Sequence, residues 1–370
     1  MSGQTNLSGG IGLAAQEMNS IKKPNEVRSL FLLTDGHANK GVIDKSGIVQ
    51  LTNGCLSAPD EKHTERSIPI HCFGYGSDHD GDLLRDISQT NEGGTYYFVG
   101  DDSDVSSAFG DALGGVLSVV AQNITITVIA PVDGFEKHGN SLVKIYHENA
   151  EKMADGSYKI NIVDLYAEES RDILFEVSLA CKNIDDYSCV PHVCVSMTYL
   201  DTIEKNLATV DSIIGSIDRP EESRFRSPAN HRVSAQWLRI KTANVMAESE
   251  DIAKNGDFLR AQTVIEEATK ALRKEIFDAQ EDNALHEQLL SDLSIVHSGL
   301  GSPQVWAARG SYIIKSKQLT HKHQRCSEPK STSINSYRSP KKSAMSKKFS
   351  TNKKSLDDDK TLLFPSSSDC

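Results

Sequence analysis

From Leu7 to Val120, short apolar runs alternate with amphipathic segments, a rhythm that predicts strands and helices taking turns around a parallel sheet. Helix is predicted over Leu7–Ser20, with Asn6 or Ser8 as its N-cap, and a buried strand over Val27–Leu33 ending at Thr34-Asp35-Gly36. Helix Lys45–Leu56, strand Ile68–Tyr75, helix Asp82–Gln89, strand Thr95–Val99 and a closing helix Asp104–Val120 follow. Every connection is long enough for a crossover, so the three strands should be parallel.

Past Gln122 the rhythm changes. Asn123–Ala130, Ser141–His147, Ser157–Leu165, Ile173–Ala180 and Val193–Asp201 show β-branched residues in rough alternation, separated by turn clusters such as Ala154-Asp155-Gly156. Strands without intervening helices predict a small β-sandwich. From Ser227 the apolar spacing is helical again, over Ala235–Lys254, Phe258–Asp278, Ala284–His297 and a short Val305–Lys315. Asn255-Gly256-Asp257 reads as the turn of a helical hairpin, with Gly256 free to take positive φ and Asp257 as N-cap. After His321 the chain is rich in Ser, Lys and Pro and poor in apolar residues, which predicts a disordered basic tail.

The expected organisation is therefore an α/β unit over 1–122, a β-rich domain over 123–222, a helical region over 223–320 and the tail over 321–370.

Charge sharpens this division. The net charge is −11, yet Lys315 to Cys370 carries 13 Lys or Arg against 5 Asp or Glu, leaving −19 on the residues before it. A body that acidic is a poor nucleic-acid surface. No stretch reaches the roughly 18 consecutive apolar residues of a membrane span, and Met1–Gly10 lacks the pattern of a signal peptide, so a cytoplasmic protein is expected. The seven cysteines are scattered without a C-x-x-C pair, which favours free thiols over a disulfide frame or zinc cluster, also at Cys181, Cys189 and Cys194.

Two segments carry candidate chemistry. Ser2-Gly3-Gln4-Thr5-Asn6-Leu7 puts a hydroxyl in a loop just before a helix, and Phe31-Leu32-Leu33-Thr34-Asp35-Gly36 puts a carboxylate at the carboxyl end of a buried strand. In an open parallel sheet that edge is where ligands bind, so Thr5 and Asp35 can converge. Their oxygens are the hard donors that suit Mg²⁺. On local grounds alone Thr5 is a helix-entry residue and Asp35 a turn-former before Gly36.

Other patterns are weaker. Asp78-His79-Asp80-Gly81-Asp82 has the acid density of a calcium loop, but its glycine falls too early and no Glu closes the frame, so capping of a helix from Asp82 onward is the better reading. His321-Lys322-His323 with Cys326 is a poor metal cluster at the edge of the tail, and Asn123-Ile124-Thr125 reads as plain strand rather than a glycosylation acceptor. Ser339-Pro340-Lys341-Lys342 has the form of a phosphorylation site, where a phosphate would reduce the local positive charge. No nucleophile elbow, phosphate loop or H-E-x-x-H helix is present, so no motif supports an enzyme.

The residues around Thr5 and Leu33-Thr34-Asp35-Gly36, with Ile70-His71-Cys72-Phe73-Gly74-Tyr75-Gly76-Ser77-Asp78-His79-Asp80, Gly93-Gly94-Thr95-Tyr96-Tyr97-Phe98-Val99 and Gly114-Gly115-Val116-Leu117-Ser118-Val119-Val120, resemble von Willebrand factor type A domains. The resemblance covers roughly the first third of the chain and looks most like the intracellular eukaryotic branch, which includes RING-finger proteins. It implies the carboxyl-terminal half of a Rossmann-like parallel sheet and a metal-ion-dependent adhesion site built from D-x-S-x-S, a distant Thr and a distant Asp. Thr5 matches that Thr and Asp35 that Asp. D-x-S-x-S would lie upstream, but only four residues precede Thr5, and Asp101-Asp102-Ser103-Asp104-Val105-Ser106-Ser107 does not reproduce it.

The resemblance thus implies a non-enzymatic protein-interaction or scaffold module with an incomplete site, in which bound Mg²⁺ would be weak or absent. A partner's acidic side chain would complete the cation's shell in an intact site. The alternative is the substrate-binding part of a RING-type ubiquitin ligase whose RING is absent here; a degenerate product is a third reading. With its first strand absent, the sheet would expose the Val27–Leu33 strand as an open edge through which the chain self-associates.

Overall fold

The computed structural model describes residues 3–56, 68–90, 93–100, 102–130, 141–178, 190–217, 229–279, 283–326 and 336–349. The chain divides into two compact units, the first made of Met1–Val119, Tyr166–Glu169 and Thr242–Cys370, the second of Val120–Leu165 and Ser170–Lys241.

The first unit opens with helix α1 (Leu7–Ser20), capped by Asn6, whose side chain accepts from the Gly9 amide. Strand β1 (Leu30–Thr34), helix α2 (Lys45–Leu56), strand β2 (Ile70–Tyr75), helix α3 (Gly81–Gln89), strand β3 (Tyr96–Val99) and helix α4 (Asp102–Val116) follow in the predicted order. The strands pair in parallel in the order β1-β2-β3, with Leu30 opposite Ile70 and Cys72 opposite Tyr96. Alternation along each strand sorts its side chains between two cores. Leu30, Ile70, Cys72 and Tyr96 pack with Ile11, Ile48 and Leu84 on one face, while Phe73, Tyr97 and Val99 pack with Ala108 and Ala112 of α4 on the other. Burial on both faces explains why these strands read as nearly continuous apolar runs.

Some boundaries move. Strand β1 begins at Leu30 rather than Val27 and β2 at Ile70 rather than Ile68; between them the Pro69 carbonyl accepts from the Leu30 amide and the Ser29 hydroxyl. Helix α3 begins at Gly81 rather than Asp82, and the capping expected of the acidic segment is done by Asp80, which accepts from the Leu83 amide at 2.9 Å. Asp82 instead meets Arg85, Lys254 and Lys315. Helix α4 stops at Val116, so Val119 and Val120 belong to a strand rather than to the closing helix.

In the second unit, β4 (Val119–Ile129), β5 (Ser141–Ile145), β6 (Ala150–Lys152), β7 (Tyr158–Tyr166), β8 (Phe175–Ser178), β9 (Val190–Asp201) and β10 (Asn206–Ile217) form a five-stranded sheet ordered β10-β9-β4-β7-β6 and a two-stranded sheet β5-β8. Val128, Ile160 and Val193 of the larger sheet share a core with Ile145 of the smaller, which gives the two layers expected of a sandwich. Strands β6 and β10 were not among the predicted ones. Asn123 takes positive φ, 49°, where the pairing of β4 with β9 slips between Gln122 and Thr125.

Helices α5 (His231–Lys254), α6 (Phe258–Ala279) and α7 (Ala284–Gly299) fall where the periodicity places them, and Gly256 takes φ +87° in the predicted turn. The predicted Val305–Lys315 helix is instead a short α8 (Pro303–Val305), a π-helical turn at Trp306–Gly310, and α9 (Ser311–His323). At the turn, a side chain on Gly310 would collide with the Gly299 carbonyl, so two backbones cross in contact there.

The separate helical region expected over 223–320 is not observed as such. Tyr312 and Leu319 of α9 lie in the core beneath β2 and β3, and residues from Thr242 onward belong to the unit of the parallel sheet. The tail expectation over 321–370 also needs correction. Residues 321–326 continue α9 and its exit, and residues 340–349 form a further helix, α10. Residues 327–335 and 350–370 lie outside the described residues, as do Cys181 and Cys189.

Candidate functional site

The loop before α1 is fastened to the loop after β1 by four hydrogen bonds centred on Asn39. The Thr5 amide donates to Asn39 Oδ1 at 2.6 Å and Asn39 Nδ2 donates to the Gly3 carbonyl at 3.2 Å. The Thr5 carbonyl accepts from the amides of Asn39 and Lys40 at 3.0 and 3.2 Å. Ser8 adds a second tie, accepting from the Val42 amide at 2.9 Å.

This fastening brings Thr5 to the turn that carries Asp35. Thr5 Oγ1 stands 3.8 Å from the point a side chain on Gly36 would occupy, and Thr34 Oγ1 shapes the turn by accepting from the Gly36 amide and donating to its carbonyl. Thr5 is half-buried and Asp35 exposed, at the carboxyl edge of β1. The loop that carries Thr5 and the turn that carries Gly36 are thus neighbours at this edge.

Residues 1–111 match the family model of the von Willebrand factor type A domain. In fold, the chain is similar to a von Willebrand factor type A protein from Catenulispora acidiphila, at a TM-score of 0.57 and 16% identity, covering 80% of this chain and 63% of that one. The chain therefore spans less than two thirds of that protein. The ArnB paralog VWA2 from Sulfolobus acidocaldarius is also similar, with a TM-score of 0.46, 13% identity and coverage of 87% and 71%. No curated protein matches the chain in sequence.

In an A domain this edge is where a cation is expected, and the donors here can be tested against it. A hydroxyl and a carboxylate are suitable in kind. Among the described residues no group of three or more His, Cys, Asp or Glu is placed to hold a metal ion.

The neighbouring loop, after β2, is held from below. His79 Nε2 meets the Tyr96 hydroxyl at 2.8 Å, and its ring lies 4.6 Å from that of Tyr312. The Tyr312 hydroxyl donates to the Ser77 carbonyl at 2.8 Å, so α9 anchors this loop. Burial lowers the His79 pKa below the ordinary imidazole range. Between the loops, His37 and Asp78 approach to 3.6 Å, but both side chains are exposed and the pair is screened by water.

Neither Asn39 nor Tyr312 was among the residues that the sequence singled out. Asn39 has a weak local signal, an Asn beside the turn-forming Lys40-Gly41, where Gly41 takes φ +76°. Tyr312 acts on residues more than two hundred positions away and leaves no local pattern. Among the described residues, no helix is long and apolar enough to cross a membrane.

Proposed function

We propose that this chain is a non-enzymatic protein-interaction module whose docking face is the carboxyl edge of β1, around Thr5 and Asp35. The observation that supports it most is the Asn39 clamp, which fastens the Thr5 loop to the segment after the exposed Asp35. A site pre-formed in this way loses little conformational freedom on binding. The second unit and the helices serve as scaffold. With two donors in place, Mg²⁺ stays mostly hydrated and binds weakly if at all.

The test compares wild type, Thr5→Ala, Asp35→Ala and a control in the second unit, Lys159→Ala, as immobilised full-length chains in parallel affinity capture, with magnesium and with chelator. Proteins whose recovery falls in both edge variants but not in the control define the partners. Equal recovery on all four surfaces refutes the reading. A loss in chelator equal to the loss in Asp35→Ala would show that a cation does complete the site.

A further inference from the structure

Helix α10 covers one face of α4, and the contact is close. A side chain on Gly110 would stand 2.8 Å from the Ser346 Cα, and one on Gly114 3.0 Å from the Lys342 Cα. Between them Ser107 Oγ and Ser346 Oγ touch at 2.8 Å, and Ser346 Oγ also faces the Ser107 carbonyl at 3.4 Å. Both serines are buried, at 4% and 5% exposure. Ser339 begins α10 as its N-cap, receiving the Lys342 amide at 3.3 Å, and Pro340 follows in the first turn where its missing amide is harmless. Lys341 closes the other helix by donating to the Leu117 carbonyl at 3.1 Å.

Little apolar area holds α10 in place, so its attachment rests on the close backbone approach and on the buried Lys342–Asp111 pair. Its apolar residues are Ala344, Met345 and Phe349, against Lys341, Lys342, Lys347 and Lys348. A helix of this length is marginal in water by itself, so its order depends on the seat provided by α4. Segments held by so little apolar area open at lower free energy than the core.

We propose that α10 is a latch released by phosphorylation, with Ser346 as the acceptor. Docked, Ser346 has no room for a phosphate, because Ser107 and Gly110 fill the space around its hydroxyl and the Asp111 carboxylate is on the same helix. Undocked, it lies between pairs of lysines that suit a protein kinase with an acidic substrate groove. That kinase supplies ATP: the Ser346 oxygen forms a bond to the terminal phosphorus, the bond to the β-phosphate oxygen breaks to leave ADP, and the hydroxyl proton passes to the kinase's base. The added charge of roughly −1.5 to −2 then cannot return to the α4 seat, while the neighbouring lysines solvate it in the open state. Docking and phosphorylation exclude each other, so each phosphate shifts the population toward release.

Hydrogen–deuterium exchange on the full chain tests the latch. In wild type, residues 340–349 are expected to be protected, Ser346→Ala to remain within twofold of wild type, and Ser346→Glu to exchange at least tenfold faster there and along the Ser107–Gly114 face. Gly114→Leu, which unseats the helix without charge, is expected to raise phosphate incorporation at Ser346 by a basic-directed kinase at least tenfold. The proposal fails if wild-type 340–349 is unprotected, if Ser346→Glu exchanges like wild type, or if Gly114→Leu takes up no phosphate at Ser346. Should Ser346→Glu not fold, wild type phosphorylated after folding decides: protection retained with phosphate on Ser346 overturns the latch, and protection lost supports it.

Discussion

Asp111 of α4 and Lys342 of α10 meet at 2.8 Å with both side chains almost completely buried. Arg338 approaches the same carboxylate at 3.2 Å, and the Tyr97 hydroxyl donates to it at 2.9 Å. The carboxylate thus sits beside two cations in a low-dielectric setting. Asp111→Ala removes the buried counter-charge facing Lys342, and a loss of about 3–5 kcal/mol is expected. Pairing it with Lys342→Met removes the stranded ammonium and should recover part of that loss. Urea denaturation of the two variants measures the difference; an Asp111→Ala protein as stable as wild type would show that the cluster is solvated.

His71 is buried in β2, edge-on to Phe31 at 5.3 Å, and burial, reinforced by Arg325 and Lys342, pushes its pKa down to about 3. The folded imidazole therefore stays neutral while the unfolded one takes a proton below about pH 6.5. Its contribution is complete above that pH and is lost as pH falls toward 3, at about 1.4 kcal/mol per unit. The stability of wild type should decline over this window more steeply than that of His71→Leu. Parallel slopes in denaturation curves at pH 7, 6 and 5 would refute the assignment.

How far these features were legible follows from the range of the forces behind them. Ile11, Ile48, Ile70 and Tyr96 announce themselves by periodicity, because burial of a helix stripe or strand face leaves a local pattern. Strand β10 left none: its residues are exposed along nearly the whole length, so no buried alternation marks them. Helix α10 was read as disorder because composition reports apolar content, whereas its order comes from Gly110, Gly114 and Asp111, more than two hundred residues away. Asn39, which fastens the Thr5 loop, was not legible beyond its place beside a turn, since its partners are backbone groups of a loop more than thirty residues away.

Two glycines separate space from flexibility. A side chain on Gly94 would collide with the carbonyl oxygens of both Ile70 and Ser88, which are backbone and cannot swing aside. Gly10, inside α1, has nothing within 4 Å of that point. Gly94→Ala should lower stability by more than about 2 kcal/mol through steric overlap. Gly10→Ala should raise it by about 0.5–1 kcal/mol, because alanine loses less backbone freedom on entering a helix. Thermal melts of the two proteins under one condition check the opposite signs.

Strand β1 is an edge of the described parallel sheet, and Leu33 on it is 46% exposed. Leu30–Thr34 contains no charge and no proline, and its pairing with β2 runs without a register break. Strand β10 is also an edge and exposes Leu207 and Ile213, but it carries Asp211 and breaks register between Val210 and Ile213. Charges and bulges of that kind discourage strands from adding to one another, so β1 is the less protected of the two. The 370-residue chain produced alone is expected to self-associate at micromolar concentration, with Leu33→Lys restoring a monomer and Ile213→Lys leaving the assembly intact. Sedimentation of the three proteins distinguishes the edges: rescue by Ile213→Lys alone would move the contact to β10, and a wild-type monomer at every concentration would show that neither edge recruits a second copy.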